Sequence, residues 1–235
     1  MKKIYLMKNF IEIIESEKNI FGEGGYQKAK DLMQKEKNYI HQCIERRNNV
    51  RRLVCNNFTP NDKFVTLTFS NNETDVKKCD LMFKNFIKRL KYKYKLKDFK
   101  YVAVIEFQKR GAVHYHMICN ASYIPQRDIQ NLWQHGFVWL NCIKNVDNLG
   151  AYIVKYMTKE TADQRLQGLN GYLCSRNLER PFEISNMENK NRDLFLTYNK
   201  VVSEKIKNHA PTYEREFNSN VLGKITYTHY NFNKN

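Results

Sequence analysis

A predicted hairpin in the middle of the chain constrains the fold more than any other feature. A strand-like segment, YVAVIEF, contains Glu106, and a second strand-like segment contains His114 and His116. The two histidines are separated by a single residue, so both project from the same face of a strand. If residues 109–111 form a three-residue loop in which glycine supplies a positive φ, Glu106 pairs with His114. A two-residue loop would destroy this pairing.

Directly paired residues share a face of a sheet, so Glu106, His114 and His116 are predicted to converge. A carboxylate and two neutral imidazoles, with coordination positions left for water or substrate, suit a divalent cation such as Mg²⁺ or Mn²⁺. Nitrogen ligands favour Mn²⁺ and cellular abundance favours Mg²⁺, so the choice stays open. A His-x-His pair alone is also typical of polar alternation on a half-solvated strand. The helix that follows favours the metal site.

That helix is predicted at residues 147–160, with Asn145 or Asp147 as its N-cap. Four of its residues follow the i, i+3, i+4, i+7 spacing that defines one helical face: Tyr152, Lys155, Tyr156 and Lys159. Aliphatic residues occupy the opposite side and are expected to pack on a sheet. Tyrosines beside lysines also occur at the solvated edge of a core, and this alternative stays open for the helix considered alone.

Tyrosines next to a metal site predict nucleophilic chemistry. A free phenol has a pKa near 10, but neighbouring ammonium groups and a cation favour the phenolate. Attack of a phenolate on a DNA phosphodiester gives a covalent phosphotyrosine and releases a hydroxyl. Because that bond preserves the energy of the phosphodiester, the break can be resealed. Tyr152 and Tyr156, one helical turn apart, could alternate as nucleophiles.

Three ordered motifs resemble those of the HUH-type rolling-circle replication initiators, and most of all the phage and small-plasmid Rep proteins with two tyrosines. They are the strand FVTLTF at residues 64–69, Glu106 with His114-Tyr-His116, and Tyr152-x-x-x-Tyr156-x-x-Lys159. The resemblance covers residues 58–181. It includes the segment CSRNLERP at 174–181, which is similar to one that follows the tyrosine helix in such proteins.

The resemblance implies a role for each residue of these motifs. Glu106, His114 and His116 would be metal ligands, and Tyr152 and Tyr156 the candidate nucleophiles. Tyr152 is slightly favoured as the first attacker, and the lysines of the tyrosine helix would face phosphate or metal. The resemblance also implies that the 5′ phosphate stays on tyrosine while a 3′ hydroxyl primes synthesis.

Composition agrees with a nucleic-acid partner, since 40 Lys and Arg against 24 Asp and Glu give a formal charge of +16. Six basic residues are predicted to contact DNA: Arg46, Arg47, Arg51, Arg52, Lys109 and Arg110. A solvated basic helix face is an equally good interpretation of the arginines. No apolar run has the length of a membrane span, so we expect no membrane partner and a location in the cytoplasm of a bacterial host.

The predicted fold class is α+β, with an antiparallel sheet, helices on one or both faces and a ferredoxin-like HUH nuclease core. Residues 1–57 are predicted to be a basic helical extension, 58–182 the endonuclease core, and 183–235 a helix and strand that complete or extend it. The core is expected to run strand-helix-strand-strand-helix-strand-helix.

The predicted function is nicking and rejoining of single-stranded or hairpin origin DNA, which starts rolling-circle replication of a plasmid or phage. No phosphate-binding GxxxxGK[ST] loop occurs in the sequence, so we expect a host helicase to unwind the duplex. A relaxase or a tyrosine transposase would use the same chemistry on another substrate. A non-catalytic nucleic-acid-binding module is the alternative from a different class, although it needs no alignment of Glu106 with the histidines.

Overall fold

The computed structural model describes residues 2–18, 32–157, 164–184, 191–219 and 223–233. These residues form two antiparallel five-stranded sheets and five α-helices, which confirms the predicted α+β class. Contacts divide the chain into two compact units, residues 30–179 and residues 1–29 with 180–235. Compact units need not coincide with functional domains, so the predicted domain division stays a prediction. No helix among the described residues is long and apolar enough to span a bilayer.

The larger unit, residues 30–179, follows the predicted order of strands and helices from residue 63 to residue 154. Its elements are α1 (Leu32–Asn57), β3 (Lys63–Leu67), α2 (Val76–Lys93), β4 (Tyr101–Phe107), β5 (Val113–Cys119), α3 (Gln126–Trp133), β6 (Val138–Asn141), α4 (Leu149–Val154), a 3₁₀ turn (Gln164–Leu166) and β7 (Tyr172–Cys174). The strands form one sheet in the order β6-β3-β5-β4-β7.

Alternating side chains of the central strand β5 enter two different cores. Tyr115 and Met117 pack with apolar residues of α2 and α3 on one face of the sheet. Ile118 packs on the other face with apolar residues of α1 and α4. His114 and His116 project from this second face, because they alternate with Tyr115. The candidate site residues therefore lie on the side of the sheet where α1 and α4 pack.

Helix α4 packs tightly on α1 at Gly150. A Cβ atom at this position would lie 2.4 Å from the carbonyl oxygen of Arg51 and 2.7 Å from the sulfur of Cys55, so only glycine permits this approach. The Cys55 thiol donates a 3.5 Å hydrogen bond to the side-chain oxygen of Asn148, the residue that caps α4. Helix α1 thus supports the segment that contains the tyrosines.

The second unit consists of β1 (Lys2–Met7), β2 (Phe10–Ser16), β8 (Phe182–Glu183), α5 (Arg192–Ile206), β9 (Tyr213–Ser219) and β10 (Gly223–Asn231), with the sheet order β8-β1-β2-β10-β9. The sequence pattern predicts a helix in residues 2–16, and the structure contradicts this prediction. They form a hairpin in which Ile4, Ile11 and Ile13 are buried. β-Branched residues pack well on a pleated surface, and here this preference outweighs the mixed charges that resemble a helical pattern.

Helix α1 agrees with the helical part of the predicted extension, and α5 contains the helix predicted near residues 201–207. The strand predicted near the C-terminus is also present as β10, which pairs with β2 and β9. It therefore belongs to the sheet of the second unit and does not join β3–β7.

Candidate active site

The hairpin between β4 and β5 has the predicted pairing, with Glu106 directly opposite His114. Gly111 has a φ of +90°, and its amide donates a 2.7 Å hydrogen bond to the carbonyl oxygen of Gln108. The Gln108 amide in turn donates to the Ala112 carbonyl oxygen at 2.9 Å, which closes the three-residue loop. The left-handed conformation of a single glycine thus aligns the carboxylate with the imidazoles.

Glu106, His114 and His116 form a compact cluster whose potential ligand atoms all lie within 4.8 Å of one another. Glu106 Oε2 and His116 Nε2 are 2.6 Å apart. The buried Nε2 atom of His114 has no hydrogen-bond partner among the residues that the structure describes. An unpartnered buried nitrogen is unfavourable unless it binds something, so it fits a metal ligand better than a structural histidine.

The electrostatics of the cluster favour neutral imidazoles. Burial lowers the pKa of His114 to about 4, and the neighbouring His116 and Arg110 act in the same direction against the opposing effect of Glu106. Burial also lowers the pKa of His116, although its hydrogen bond to Glu106 opposes the shift. Both rings are therefore unprotonated at neutral pH, as coordination requires.

The donor set suits a divalent cation. Two imidazole nitrogens and one carboxylate oxygen on one sheet face leave other coordination positions open, as expected of a catalytic site and not of a closed structural site. Glu106 keeps 39% of its side chain exposed, and a surface depression lined by it and His114 reaches the hairpin loop at Lys109 and Arg110. A cation held here would be accessible to a ligand from solvent.

Thr66 contacts the cluster from the neighbouring strand, and sequence reasoning assigned it no role. It pairs with His116 across β3 and β5, and its hydroxyl lies 3.1 Å from His116 Nδ1. With Nε2 of His116 directed at a metal, Nδ1 would carry the proton and donate it to this hydroxyl. The signal was present in the strand FVTLTF, whose first threonine falls on the face of the histidines once β3 is paired with β5.

The tyrosine segment differs from the prediction in its bounds. Helix α4 begins after Asn148, whose side chain accepts a 2.9 Å hydrogen bond from the Ala151 amide, so neither Asn145 nor Asp147 is the cap. The α-helix ends at Val154, and Lys155 and Tyr156 continue in a tighter turn with i→i+3 hydrogen bonds. Lys159 lies outside the described residues, so its predicted place on this face stays a prediction.

Tyr152 and Tyr156 both approach the cluster. The ring of Tyr156 stacks on His116 with centroids 3.9 Å apart, and its hydroxyl donates a 3.2 Å hydrogen bond to the Tyr152 hydroxyl. Phe64 contacts both tyrosine rings and His116. Burial, the hydrogen bond to Tyr152 and the charge of Glu106 together raise the pKa of Tyr156. The ammonium of Lys155 lies 5.4 Å from the centre of the Tyr152 ring.

The basic residues predicted to contact DNA lie in two places. Lys109 and Arg110 are exposed on the hairpin loop, where Arg110 donates hydrogen bonds to Gln108 and to the Phe69 carbonyl oxygen. The other four lie on α1: Arg46, Arg47, Arg51 and Arg52. The first three are partly exposed, but Arg52 is only 3% exposed and does not present its guanidinium to a strand at the surface.

Comparison with known proteins gives one family. Residues 62–161 match the model of a family of replication-associated proteins, described under the name ORF2. No curated protein and no solved structure matches the chain significantly. The matched segment runs from β3 past Tyr156 and contains all three members of the metal cluster and both tyrosines. The similarity supports a role for this chain in the initiation of replication.

Proposed function

We propose that the chain initiates rolling-circle replication of a plasmid or phage by nicking and rejoining single-stranded origin DNA through a covalent phosphotyrosine. One observation supports this proposal above all: the two tyrosine hydroxyls are hydrogen-bonded beside a carboxylate and two neutral imidazoles. A structural role for the buried site would not require an unpartnered imidazole nitrogen next to two phenols.

The reaction is a transesterification. The phenol oxygen attacks phosphorus and loses its proton, a tyrosyl–phosphorus bond forms, and the bond from phosphorus to the 3′ oxygen breaks. The leaving 3′ oxygen takes up a proton and becomes the hydroxyl that primes synthesis. The second tyrosine would cleave the next site in the same way while the first is occupied. Rejoining is the reverse of the first step with a new 3′ hydroxyl.

The metal cluster would supply electrostatic stabilisation. Bound at Glu106, His114 and His116, Mg²⁺ or Mn²⁺ would polarise the phosphodiester and neutralise charge that develops on its oxygens. Neutral histidines of low pKa keep their lone pairs for this ion at neutral pH.

The hydrogen bond between the phenols favours Tyr152 as the first nucleophile. A donated hydrogen bond stabilises negative charge on the oxygen that receives it, and Tyr156 donates to Tyr152. Lys155 adds positive charge beside the same ring. Tyr156, with its raised pKa, retains the proton that it donates. It would act second, after the first reaction or bound DNA has changed its surroundings.

An adduct assay tests the proposal. The purified chain would be incubated with labelled single-stranded oligonucleotides that tile the origin of its own replicon, with Mn²⁺, Mg²⁺ or EDTA. Tyr152→Phe, Tyr156→Phe and the double variant would be compared with the wild type. Tyr92→Phe, at an exposed position on α2, is the matched control.

We expect a metal-dependent protein–DNA adduct that survives denaturant in the wild type and the control. It should be lost in one single variant or only in the double variant, which identifies the nucleophile. Binding without an adduct under every condition would refute the enzymatic proposal and leave a nucleic-acid-binding module. Cleavage at a transfer origin or at element ends, but not at the replication origin, would instead indicate a relaxase or a transposase.

A further inference from the structure

We propose that Trp139 forms a base-stacking subsite for single-stranded DNA beside the candidate active site. The inference rests on the proposed function, because it assigns a place to a base of the strand that the tyrosines would cut. Nothing in the sequence motifs points to this residue, which lies outside all three of them.

The placement of Trp139 follows from strand pairing. Trp139 on β6 is directly opposite Thr66 on β3, and Thr66 is directly opposite His116 on β5. Directly paired residues share a face, so the three form a row across the sheet on the side of the metal cluster. With neighbouring strands about 4.8 Å apart, the backbone of Trp139 lies about 10 Å from that of His116.

Trp139 is exposed although its neighbours in β6 are not. Val138 belongs to the core on the opposite face and Leu140 packs against it, whereas Trp139 keeps 64% of its surface exposed. Phe137, two residues before Trp139, is 78% exposed. Large aromatic side chains are usually buried on average, so two of them exposed at one sheet edge indicate a binding surface.

Single-stranded DNA is the occupant that this position favours. Every base has a π-face that can stack on indole, and the interaction tolerates any sequence. The surface adjoins the cluster that would hold the scissile phosphate, and the chain has a net charge of +16. Exposed lysines flank it in sequence and in the site: Lys144 follows β6, and Lys155 lies beside Tyr152. A strand with its phosphate at the cluster would bring a nearby base to Trp139.

The test separates base stacking from phosphate binding. A fluorescein-labelled oligothymidylate and an abasic oligomer of the same length carry the same phosphates, but only the first has bases. Their affinities for the full chain would be measured by fluorescence anisotropy in EDTA, so that no cleavage interferes. Trp139→Ala is the test variant and Trp139→Phe the conservative variant. Tyr92→Ala removes an equally exposed ring from α2, which packs on the opposite face.

We expect Trp139→Ala to weaken binding of oligothymidylate roughly tenfold or more and to leave binding of the abasic oligomer unchanged. Trp139→Phe should retain most of the affinity, and Tyr92→Ala all of it. Unchanged affinity in Trp139→Ala, equal loss for both oligomers, or no binding of oligothymidylate by the wild type would overturn the inference. So would a change of oligomeric state in Trp139→Ala with DNA binding intact, which would assign the surface to a second copy of the chain.

This outcome is independent of the adduct assay. An adduct together with unchanged binding in Trp139→Ala would refute the stacking subsite and leave the proposed function standing. Loss of stacking affinity without any adduct would refute the nuclease and leave a single-strand binding surface.

Discussion

The phenol ring of Tyr156 lies on the imidazole of His116, with centroids 3.9 Å apart and planes inclined by 23°. The contact joins the tyrosine segment directly to the metal cluster. Because Glu106 and Thr66 hold the two ring nitrogens of His116, the imidazole has a defined orientation on which Tyr156 can stack. The position of the phenols thus depends on the histidine.

This contact predicts a ring-current effect. The ring protons of His116 should resonate upfield of those of an exposed histidine in the wild type and in Tyr156→Phe, because both keep an aromatic ring above the imidazole. The shift should disappear in Tyr156→Leu. NMR of the chain with labelled histidine, in EDTA, measures it. An unchanged His116 resonance in Tyr156→Leu would contradict the stacking.

Metal binding should require all three members of the cluster. Glu106→Gln, His114→Gln and His116→Gln should each weaken Mn²⁺ binding beyond the roughly tenfold to hundredfold loss typical of residues outside the ligand set. His41→Gln, which alters an exposed histidine on α1, should bind as the wild type does. Electron paramagnetic resonance of free Mn²⁺ measures the affinity. Wild-type affinity in any of the three variants would remove that residue from the site.

Thr66 should orient His116 without binding the metal itself. Thr66→Val removes the hydroxyl 3.1 Å from Nδ1 and should weaken Mn²⁺ binding roughly tenfold to hundredfold, whereas Thr66→Ser should bind almost normally. Isothermal titration calorimetry distinguishes the two. Equal affinities would show that the hydroxyl does not act on the imidazole, and a lowered melting temperature in both would indicate a packing effect.

The low pKa of His114 predicts a loss of stability in acid. Its pKa is about 4 in the folded chain against 6.5 in the unfolded chain. Between these values the unfolded state binds a proton that the folded state does not, so the free energy of unfolding falls as the pH falls. From about pH 7.5 to about pH 5 this contribution is about 2 kcal/mol.

Urea unfolding in EDTA at the two pH values measures this contribution. His114→Gln should lose less stability than the wild type on acidification, and His41→Gln should lose as much. An equal loss in His114→Gln and the wild type would show that His114 is not the group responsible.

The hairpin loop should be sensitive to its glycine. At Gly111 the φ of +90° is strained for other residues, although a Cβ atom would meet nothing closer than 3.7 Å. Gly111→Ala should therefore destabilise the chain by about 1 to 3 kcal/mol through backbone strain, and Gly111→Asn by less. Thermal unfolding measures the change. A stability of Gly111→Ala equal to that of the wild type would mean that the loop adopts another conformation.

Much of the site followed from local sequence. The alternation of apolar residues around Glu106 and His114 determined two strands, and Gly111 determined the loop that pairs them, because few residues accept a positive φ. The α+β class and the order of elements from β3 to α4 followed from hydrophobic periodicity. The N-terminal hairpin did not follow, since its mixed charges suit a helix unless β10 is known to lie beside it.

The sequence by itself determined which side chains share a face within one hairpin, because strand pairing across a short loop is a local property. Only the tertiary structure decided what lies beside that face. It brought Thr66 and Trp139 into line with His116 through the pairing of β3 with β5 and β6, which are distant in sequence. It also seated Gly150 on α1, which brings Tyr156 onto the imidazole. Such contacts depend on the packing of whole elements, and no short segment encodes them.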